Sequence, residues 1–173
     1  PGANEGGALS DLTPDQLALF NEGKRRFAEN DKVTDGLGPR MNLGSCIGCH
    51  AFPAAGGSSP KVNPQFQFAT GPDHGTNTAP YFVTANGPIR EARFKKTSTG
   101  TADGGVHDLF TIAGMSGVPA TCSIKPPDFN ANRNNVIFRI PTPVFGAGLM
   151  EQIRDSEILA NQAKEATAKS RLQ

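Results

Sequence analysis

The chain has 173 residues, which is enough for one domain with a hydrophobic core and hardly enough for two. Glycine and proline make up about a fifth of it, only 36% of the residues are hydrophobic and Trp is absent, so we predict a turn-rich domain stabilised in part by a large buried cofactor. The formal net charge of +1 removes an electrostatic case for nucleic-acid binding, and no apolar run is long enough to predict a transmembrane segment.

The N-terminal segment 1–12 is rich in Gly, Ala and Ser and is predicted to be a flexible tail. The remainder, 13–173, is predicted to be a single domain. Because the chain starts at Pro1 rather than Met, we expect either a processed protein or a fragment, such as the N-terminal part of a longer protein.

The strongest helix signal opens at Thr13, which can cap the helix while Pro14 takes the first helical position and Gln16 completes a capping box. A second helical region is predicted from Phe145, with a break near Arg154 and a restart at Asp155 as N-cap, running toward residue 169. Between them, four short strands are predicted at 65–69, 81–84, 106–112 and 136–140. The predicted fold is therefore mainly α, with short strands and extensive irregular loops.

The segment 46–50 reads C-I-G-C-H, the pattern of covalent c-type haem attachment. Two thiols three residues apart on one helical turn, Cys46 and Cys49, can reach the two vinyl groups on one edge of a haem. The adjacent His50 then supplies the proximal nitrogen to the iron. We therefore predict one haem c, bound covalently through Cys46 and Cys49, in a cytochrome c-like haem domain.

Two other uses of such a motif are weaker. A zinc site would need a second ligand pair, and the remaining Cys122, His74 and His107 are not paired at ligand spacing. A thioredoxin-type redox pair would need a βαβ context, which the pattern lacks. Thioether attachment takes place outside the cytoplasm, so a periplasmic or otherwise exported bacterial protein is predicted. The odd cysteine, Cys122, is predicted to be a buried free thiol, with an intermolecular disulfide as the alternative.

The sixth iron ligand decides between an electron carrier and a catalyst. Met115 lies in a Gly/Pro-containing loop well downstream of the motif, where a thioether ligand would raise the reduction potential. His107 stands at the start of a predicted strand and would give a bis-histidine iron of lower potential. An open site is the third possibility, and the residues alone do not separate the three. Met41 and Met150 are predicted to belong to the core.

Three stretches of the chain, in order, resemble the di-haem oxidoreductases described as thiol oxidoreductases or peroxidases. They are GLGPR at 36–40 leading into the haem motif, NTAP and NGPIREARF at 77–80 and 86–94, and FRIPTPVFGAGL at 138–149 continuing through Glu151 and Asp155. The resemblance covers roughly residues 35 to 162. Members of that family are usually longer and carry a second C-x-x-C-H, so this chain resembles their N-terminal haem domain.

The resemblance implies site residues beyond the haem motif. If the domain reacts with peroxide, Glu151 is the candidate acid/base group, on a helix facing the haem. Arg90 and Arg93 are candidates for pairing with the haem propionates, because a guanidinium suits bidentate contact with a carboxylate.

The favoured function is an exported c-type cytochrome that transfers single electrons between redox protein partners. The first alternative is a haem peroxidase or oxidoreductase domain that acts on peroxide with a second haem domain. The other is a haem-carrying subunit of a larger redox complex. No nucleic-acid partner is expected.

Overall fold

The structure is a computed structural model that describes residues 4–70, 77–112, 114–119, 121–122 and 125–171. The chain divides into two compact units, Pro1–Pro143 and Val144–Gln173. The haem motif belongs to the first unit and Glu151 belongs to the second. His74 lies outside the described residues.

Helix α1, Pro14–Ala28, begins where the sequence predicts. The Thr13 hydroxyl accepts a hydrogen bond from the Gln16 backbone N–H at 3.3 Å, and the Gln16 side chain accepts one from the Thr13 N–H at 2.9 Å. This reciprocal capping satisfies two of the backbone donors that a helix start leaves free. The helix contacts the turn that carries Cys46, so its position matters for the haem motif.

The first unit contains a three-stranded antiparallel sheet in the order β2–β1–β3. Its strands are β1, Glu91–Phe94; β2, Asp108–Leu109; and β3, Val136–Arg139. Successive side chains of a strand point to opposite faces, and the register groups those that share a face. One face, called here the Glu91 face, carries the side chains of Glu91, Arg93, Leu109, Ile137 and Arg139.

The opposite face of the sheet packs on an aromatic core. Phe82 is only 2% exposed, and its ring lies 5.8 Å from that of Phe129, which in turn lies 5.0 Å from Phe94. Burying each such side chain contributes roughly 1.5–3 kcal/mol to folding. The buried cluster consists of Phe82, Val83, Ala92, Phe110, Ile112, Phe129 and Val136.

Two of the predicted strands are wrong. Residues 65–69 fall in a helix, α2, Gln65–Thr70, although their residues alternate as in a strand. The Asn63 side chain accepts a hydrogen bond from the Gln65 N–H at 2.9 Å. This bond satisfies a backbone donor at the start of the helix and so favours the helix over a strand. Residues 81–84 form no strand, because the Val83 N–H donates to the Pro80 carbonyl and closes a turn.

The other two predictions are correct in part. Strand β3 covers nearly all of 136–140, but of 106–112 only the two residues of β2 pair in the sheet. Past β2, the Asn42 side chain takes the place of a neighbouring strand. Its amide donates to the Phe110 carbonyl and its oxygen accepts from the Ile112 N–H, both at 2.8 Å. A side chain from distant sequence therefore satisfies this backbone.

The second unit contains α3, Ala147–Met150, and α4, Asp155–Ser170, so the predicted break between two helices is correct. Arg154 rather than Asp155 is the N-cap of α4. Asp155 lies in the first turn, where its negative charge favours the helix N-terminus. Met150 is 64% exposed, so the prediction that it belongs to the core is wrong.

The described residues thus combine helices, a small antiparallel sheet and extensive loops. The short strands and the loops agree with the prediction, whereas the class is mixed α and β rather than mainly α. The polar–apolar alternation of Glu91–Phe94 and the β-branched and aromatic residues at 136–138 account for the sheet. The finer prediction of a cytochrome c-like domain stays a prediction. Within the described ranges, no helix combines the length and the apolar character needed to cross a membrane.

Candidate haem-attachment site

The C-x-x-C-H segment forms a single tight turn. Residues Cys46–Gly48 are a 3-10 turn, and the N–H groups of Cys49 and His50 both donate to the Cys46 carbonyl, at 3.2 and 3.0 Å. The Cys46 side chain is exposed and that of Cys49 is half-buried. The backbone of the motif is therefore already folded into one turn, as the spacing predicts.

The imidazole of His50 is held by two neighbours. Its Nδ1 lies 3.1 Å from the Gly57 carbonyl oxygen, and its ring meets that of Phe27 on α1 edge to face at 6.3 Å. Because a carbonyl oxygen only accepts hydrogen bonds, Nδ1 carries the proton and donates it. Nε2 is then left with a free lone pair, the state in which an imidazole binds a metal.

The Gly57 carbonyl is positioned by a loop that folds back on the motif. The N–H groups of Ala51 and Phe52 both donate to the Ser58 carbonyl, and the Gly56 N–H donates to the carbonyl of His50 itself. A Cβ at position 57 would overlap the Phe52 carbonyl. Only glycine fits this loop, which places the hydrogen-bond acceptor against His50.

Burial and negative charge keep the Cys49 thiol protonated. Partial burial raises the pKa of the Cys49 thiol to about 11, and the negative charge of Glu91 and the nearby Cys46 add to the effect. Glu91 itself accepts a hydrogen bond from the Arg139 Nε at 2.8 Å across strands β1 and β3. Cys49 therefore remains a thiol at neutral pH.

His107 has a buried ring nitrogen that lacks a partner. Among the described residues, its Nε2 and the side-chain nitrogen of Gln65 are the buried side-chain polar atoms without a hydrogen bond. His107 stands two residues before Leu109, which pairs with Glu91 in the sheet. It directly precedes β2 and is not itself paired in the sheet.

Met115, the other predicted axial ligand, is tied by its backbone to the approach to the motif. Its N–H donates to the Pro39 carbonyl at 3.2 Å, and the residue is half-buried. Both candidates for the sixth ligand therefore belong to the segment that leads through and beyond β2, in the same unit as His50.

The structure does not bring Arg90 and Arg93 together. The Arg90 guanidinium lies 5.4 Å from the centre of the Phe138 ring, on the core face of the sheet, and 3.4 Å from the Phe82 carbonyl. Arg93 belongs to the Glu91 face and donates to the Phe94 carbonyl. In the described part of the chain neither guanidinium forms an ion pair. Propionate binding by both stays a prediction.

Glu151 is the C-cap of α3 and is exposed. Its predicted role as an acid/base group stays a prediction. Cys122 is a free cysteine as predicted, but it is exposed rather than buried.

Three contributors to the site escaped the sequence analysis. The Gly57 carbonyl has no sequence signal, because any residue carries a carbonyl. Phe27 lies far before the motif in the chain, and nothing in the sequence links it to His50. Glu91 had a signal, since it begins a short alternating segment in which Ala92 and Phe94 point to the core.

Comparison with protein-family models, with curated proteins and with solved structures gives no match for this chain. The resemblance to di-haem oxidoreductases therefore stays a prediction. The site itself is compatible with a c-type haem: it has paired thiols on one turn and an imidazole whose Nε2 is left with a lone pair.

Proposed function

We propose that this chain is an exported c-type cytochrome that binds one covalent haem and transfers single electrons. The observation that carries the proposal is the hydrogen bond from His50 Nδ1 to the Gly57 carbonyl within a C-x-x-C-H turn. Metal-ligating histidines almost always donate their second ring N–H in this way, which fixes the ring and raises the basicity of the ligating nitrogen.

Each residue of the turn has a separate task in this proposal. Cys46 and Cys49 tether the cofactor through thioethers, and His50 binds the iron through Nε2. When bound, haem supplies an iron that changes by one electron between its ferric and ferrous states. The loop at 51–58 and Phe27 hold the imidazole in place.

The exposure of Cys46 supports exchange with a partner protein. Its side chain stands at the surface, whereas Cys49 is half-buried. A thioether on Cys46 therefore gives a docked redox protein access to the attachment edge. With a net charge of only +1, docking depends on local patches rather than on a long-range field.

The proposal includes the compartment and the fold family. Thioether attachment places the protein in the bacterial periplasm or elsewhere outside the cytoplasm. We further propose a cytochrome c-like haem domain similar to the N-terminal part of di-haem oxidoreductases, with a second haem domain or a larger redox complex among its partners. The resemblance at 77–80, 86–94 and 138–149 supports this part.

The attachment is tested by producing the chain in a bacterial periplasm with the haem-attachment machinery. We expect haem that stays with the polypeptide in acid acetone and gives the pyridine haemochrome spectrum of a thioether-linked haem. The variant C46A/C49A should lose it, while C122S, the matched control at the exposed third cysteine, should keep it. Extraction of the haem from the unmodified protein would contradict the proposal.

Electron transfer is tested on the loaded protein by voltammetry and by peroxide turnover. We expect a reversible one-electron couple, and peroxide turnover no faster than that of free haem. Substituting Glu151→Gln should change neither measurement. Fast turnover that this substitution abolishes would replace the electron carrier with a peroxidase.

A further inference from the structure

We infer that the N-terminal turn Asn4–Gly7 positions His50, the proposed iron ligand, by holding the loop at 51–58 in place. This inference rests on the proposed function and adds a positioning element that lies far from the motif in sequence. The N–H of the last residue of the turn donates to the carbonyl of the first at 2.7 Å and closes the turn. Gly6, within the turn, is half-buried.

Gly6 lies directly against the loop that places the Gly57 carbonyl on His50. A Cβ added at Gly6 would lie 2.8 Å from the Ala54 Cβ and 2.9 Å from the Ala55 carbonyl oxygen. Both distances are shorter than van der Waals contact, which is about 3.5–4.0 Å between carbon atoms. The φ of Gly6, +71°, is also a left-handed conformation that glycine adopts without strain. The turn therefore approaches the loop as closely as it does because residue 6 has no side chain.

The loop residues that Gly6 contacts are bonded to the acceptor of the His50 ring. The Gly57 N–H donates to the Ala54 carbonyl at 2.9 Å. The Gly56 N–H donates to the carbonyl of His50 at 3.0 Å, and both of these glycines are buried. A displacement of Ala54 would therefore be passed to Gly57, whose carbonyl oxygen lies 3.1 Å from His50 Nδ1.

Helix α1 holds the other side of the turn. The Lys24 ammonium donates to the Gly6 carbonyl at 3.1 Å. Phe27, three residues further along the same helix, meets the His50 ring edge to face at 6.3 Å. Residues three apart lie on one face of a helix, so the same face of α1 contacts the ring and the turn. The turn is therefore held between α1 and the loop, and both of these also contact His50.

The consequence for electron transfer is an effect on the reduction potential. The hydrogen bond from Nδ1 raises the basicity of the ligating Nε2, and a more basic ligand favours ferric over ferrous iron. By keeping the Gly57 oxygen within hydrogen-bond distance of His50, the turn keeps the reduction potential low. A merely structural turn would contribute to stability without affecting the potential or the tautomer of the ring.

The test compares G6A with G104A. Gly104 has a similar φ of +66°, but a Cβ there meets nothing within 4 Å, so G104A introduces the backbone strain without the contact. In the haem-loaded protein, voltammetry should find a higher reduction potential in G6A and an unchanged one in G104A. In the haem-free chain, the nitrogen chemical shifts of the His50 ring at alkaline pH should show less Nδ1–H tautomer in G6A. A potential and a tautomer that both stay unchanged in G6A would overturn the inference, even if G6A lowers stability.

Two further variants keep the test independent of how well G6A folds. A54G removes the Cβ that a methyl group at position 6 would meet, so G6A should shift the potential less in the A54G background than in the parent. Deletion of residues 1–7 removes the turn without inserting a side chain and leaves the capping box at Thr13 intact. This deletion should raise the potential as G6A does. Equal shifts by G6A in both backgrounds, or a deletion that leaves the potential at the parent value, would contradict the inference.

The outcomes separate this inference from the proposed function. A parent protein that binds no covalent haem contradicts the proposed function, and the tautomer of His50 in the haem-free chain then still decides whether the turn positions the ring. A protein that holds its haem through Cys46 and Cys49 but has the same potential in G6A as in G104A contradicts the inference alone.

Discussion

His50 has a defined protonation pattern because a backbone carbonyl and not a side chain holds it. The Gly57 oxygen has no proton of its own, so it accepts from Nδ1. The ring nitrogen that keeps its lone pair is therefore fixed by the conformation of a loop. The identity of residue 57 matters only because a larger residue would displace this loop.

Substituting Gly57→Ala tests the loop. The added Cβ would overlap the Phe52 carbonyl and push the Gly57 oxygen away from His50. We expect a loss of stability of about 1–3 kcal/mol and a higher reduction potential, because the imidazole becomes a weaker donor. Denaturant unfolding and voltammetry of the loaded protein measure the two effects.

Gly23→Ala is the matched control. Position 23 lies on exposed α1, where a Cβ meets nothing within 4 Å, and alanine there should stabilise the protein by up to about 1 kcal/mol. Equal effects of the two substitutions would contradict the role assigned to the loop.

The Cys49 thiol predicts a pH dependence of the haem-free chain. Its pKa is raised from 9.0 to about 11 in the folded state, so the unfolded chain loses this proton first. Stability is full below about pH 9 and falls as the pH rises toward about 11, by on the order of 2 kcal/mol.

Urea unfolding of the haem-free chain between these pH values measures the change. Cys49→Ser should remove this part of the slope, and Cys122→Ser, at an exposed position, should retain it. If C49S and the parent chain lose stability in parallel as the pH rises, the Cys49 thiol is not the source of the pH dependence.

At the scale of elements, α1 depends on local interactions that the sequence encodes. The capping box fixes its start, and Glu22 bonds both Arg25 and Arg26 on its exposed surface. Such pairs lie three and four residues apart, where helical geometry brings side chains together. The helix can therefore form with few tertiary contacts and present Phe27 to His50.

Hydrogen bonds from Arg25 and Arg26 lower the pKa of the Glu22 carboxyl from 4.5 to about 2. The contribution of these ion pairs to the stability of the folded protein is present above pH 4.5 and is lost as the pH falls toward 2. A carboxyl titration by NMR should find this low midpoint at low salt. It should move toward 4.5 in R25Q/R26Q or at high salt, since exposed pairs are screened. A midpoint that ignores both changes would contradict the assignment.

At the scale of the whole molecule, the described core is small for the chain. Eight hydrophobic residues are buried in the described ranges, and all of them belong to the unit Pro1–Pro143. A haem attached through Cys46 and Cys49, as proposed, stays on the unfolded chain and adds its own apolar area to the surface that folding buries.

The haem-loaded protein should therefore melt well above C46A/C49A. We expect a gain of about 3 kcal/mol or more, which corresponds to roughly 10 °C for a chain of this size. Scanning calorimetry of both proteins measures it, with loaded C122S as the control. Identical melting temperatures would show that the cofactor adds nothing to the core.

The sequence alone determined the features that depend on neighbouring residues. The C-x-x-C-H turn, the capping box at Thr13 and the helix break near Arg154 all follow from groups within a few positions of one another. Strand β3 was predictable for the same reason, since its short run of β-branched and aromatic residues favours a strand.

The tertiary structure decided whatever depends on distant partners. The Asn42 amide bonds the backbone just past β2, where the sequence predicts that the strand 106–112 continues. The Asn63 side chain bonds the backbone at the start of α2, where the sequence predicts a strand. At the site, the Gly57 carbonyl fixes the tautomer of His50. Hydrogen bonding and burial are properties of assembled neighbours, so a residue's type alone cannot reveal them.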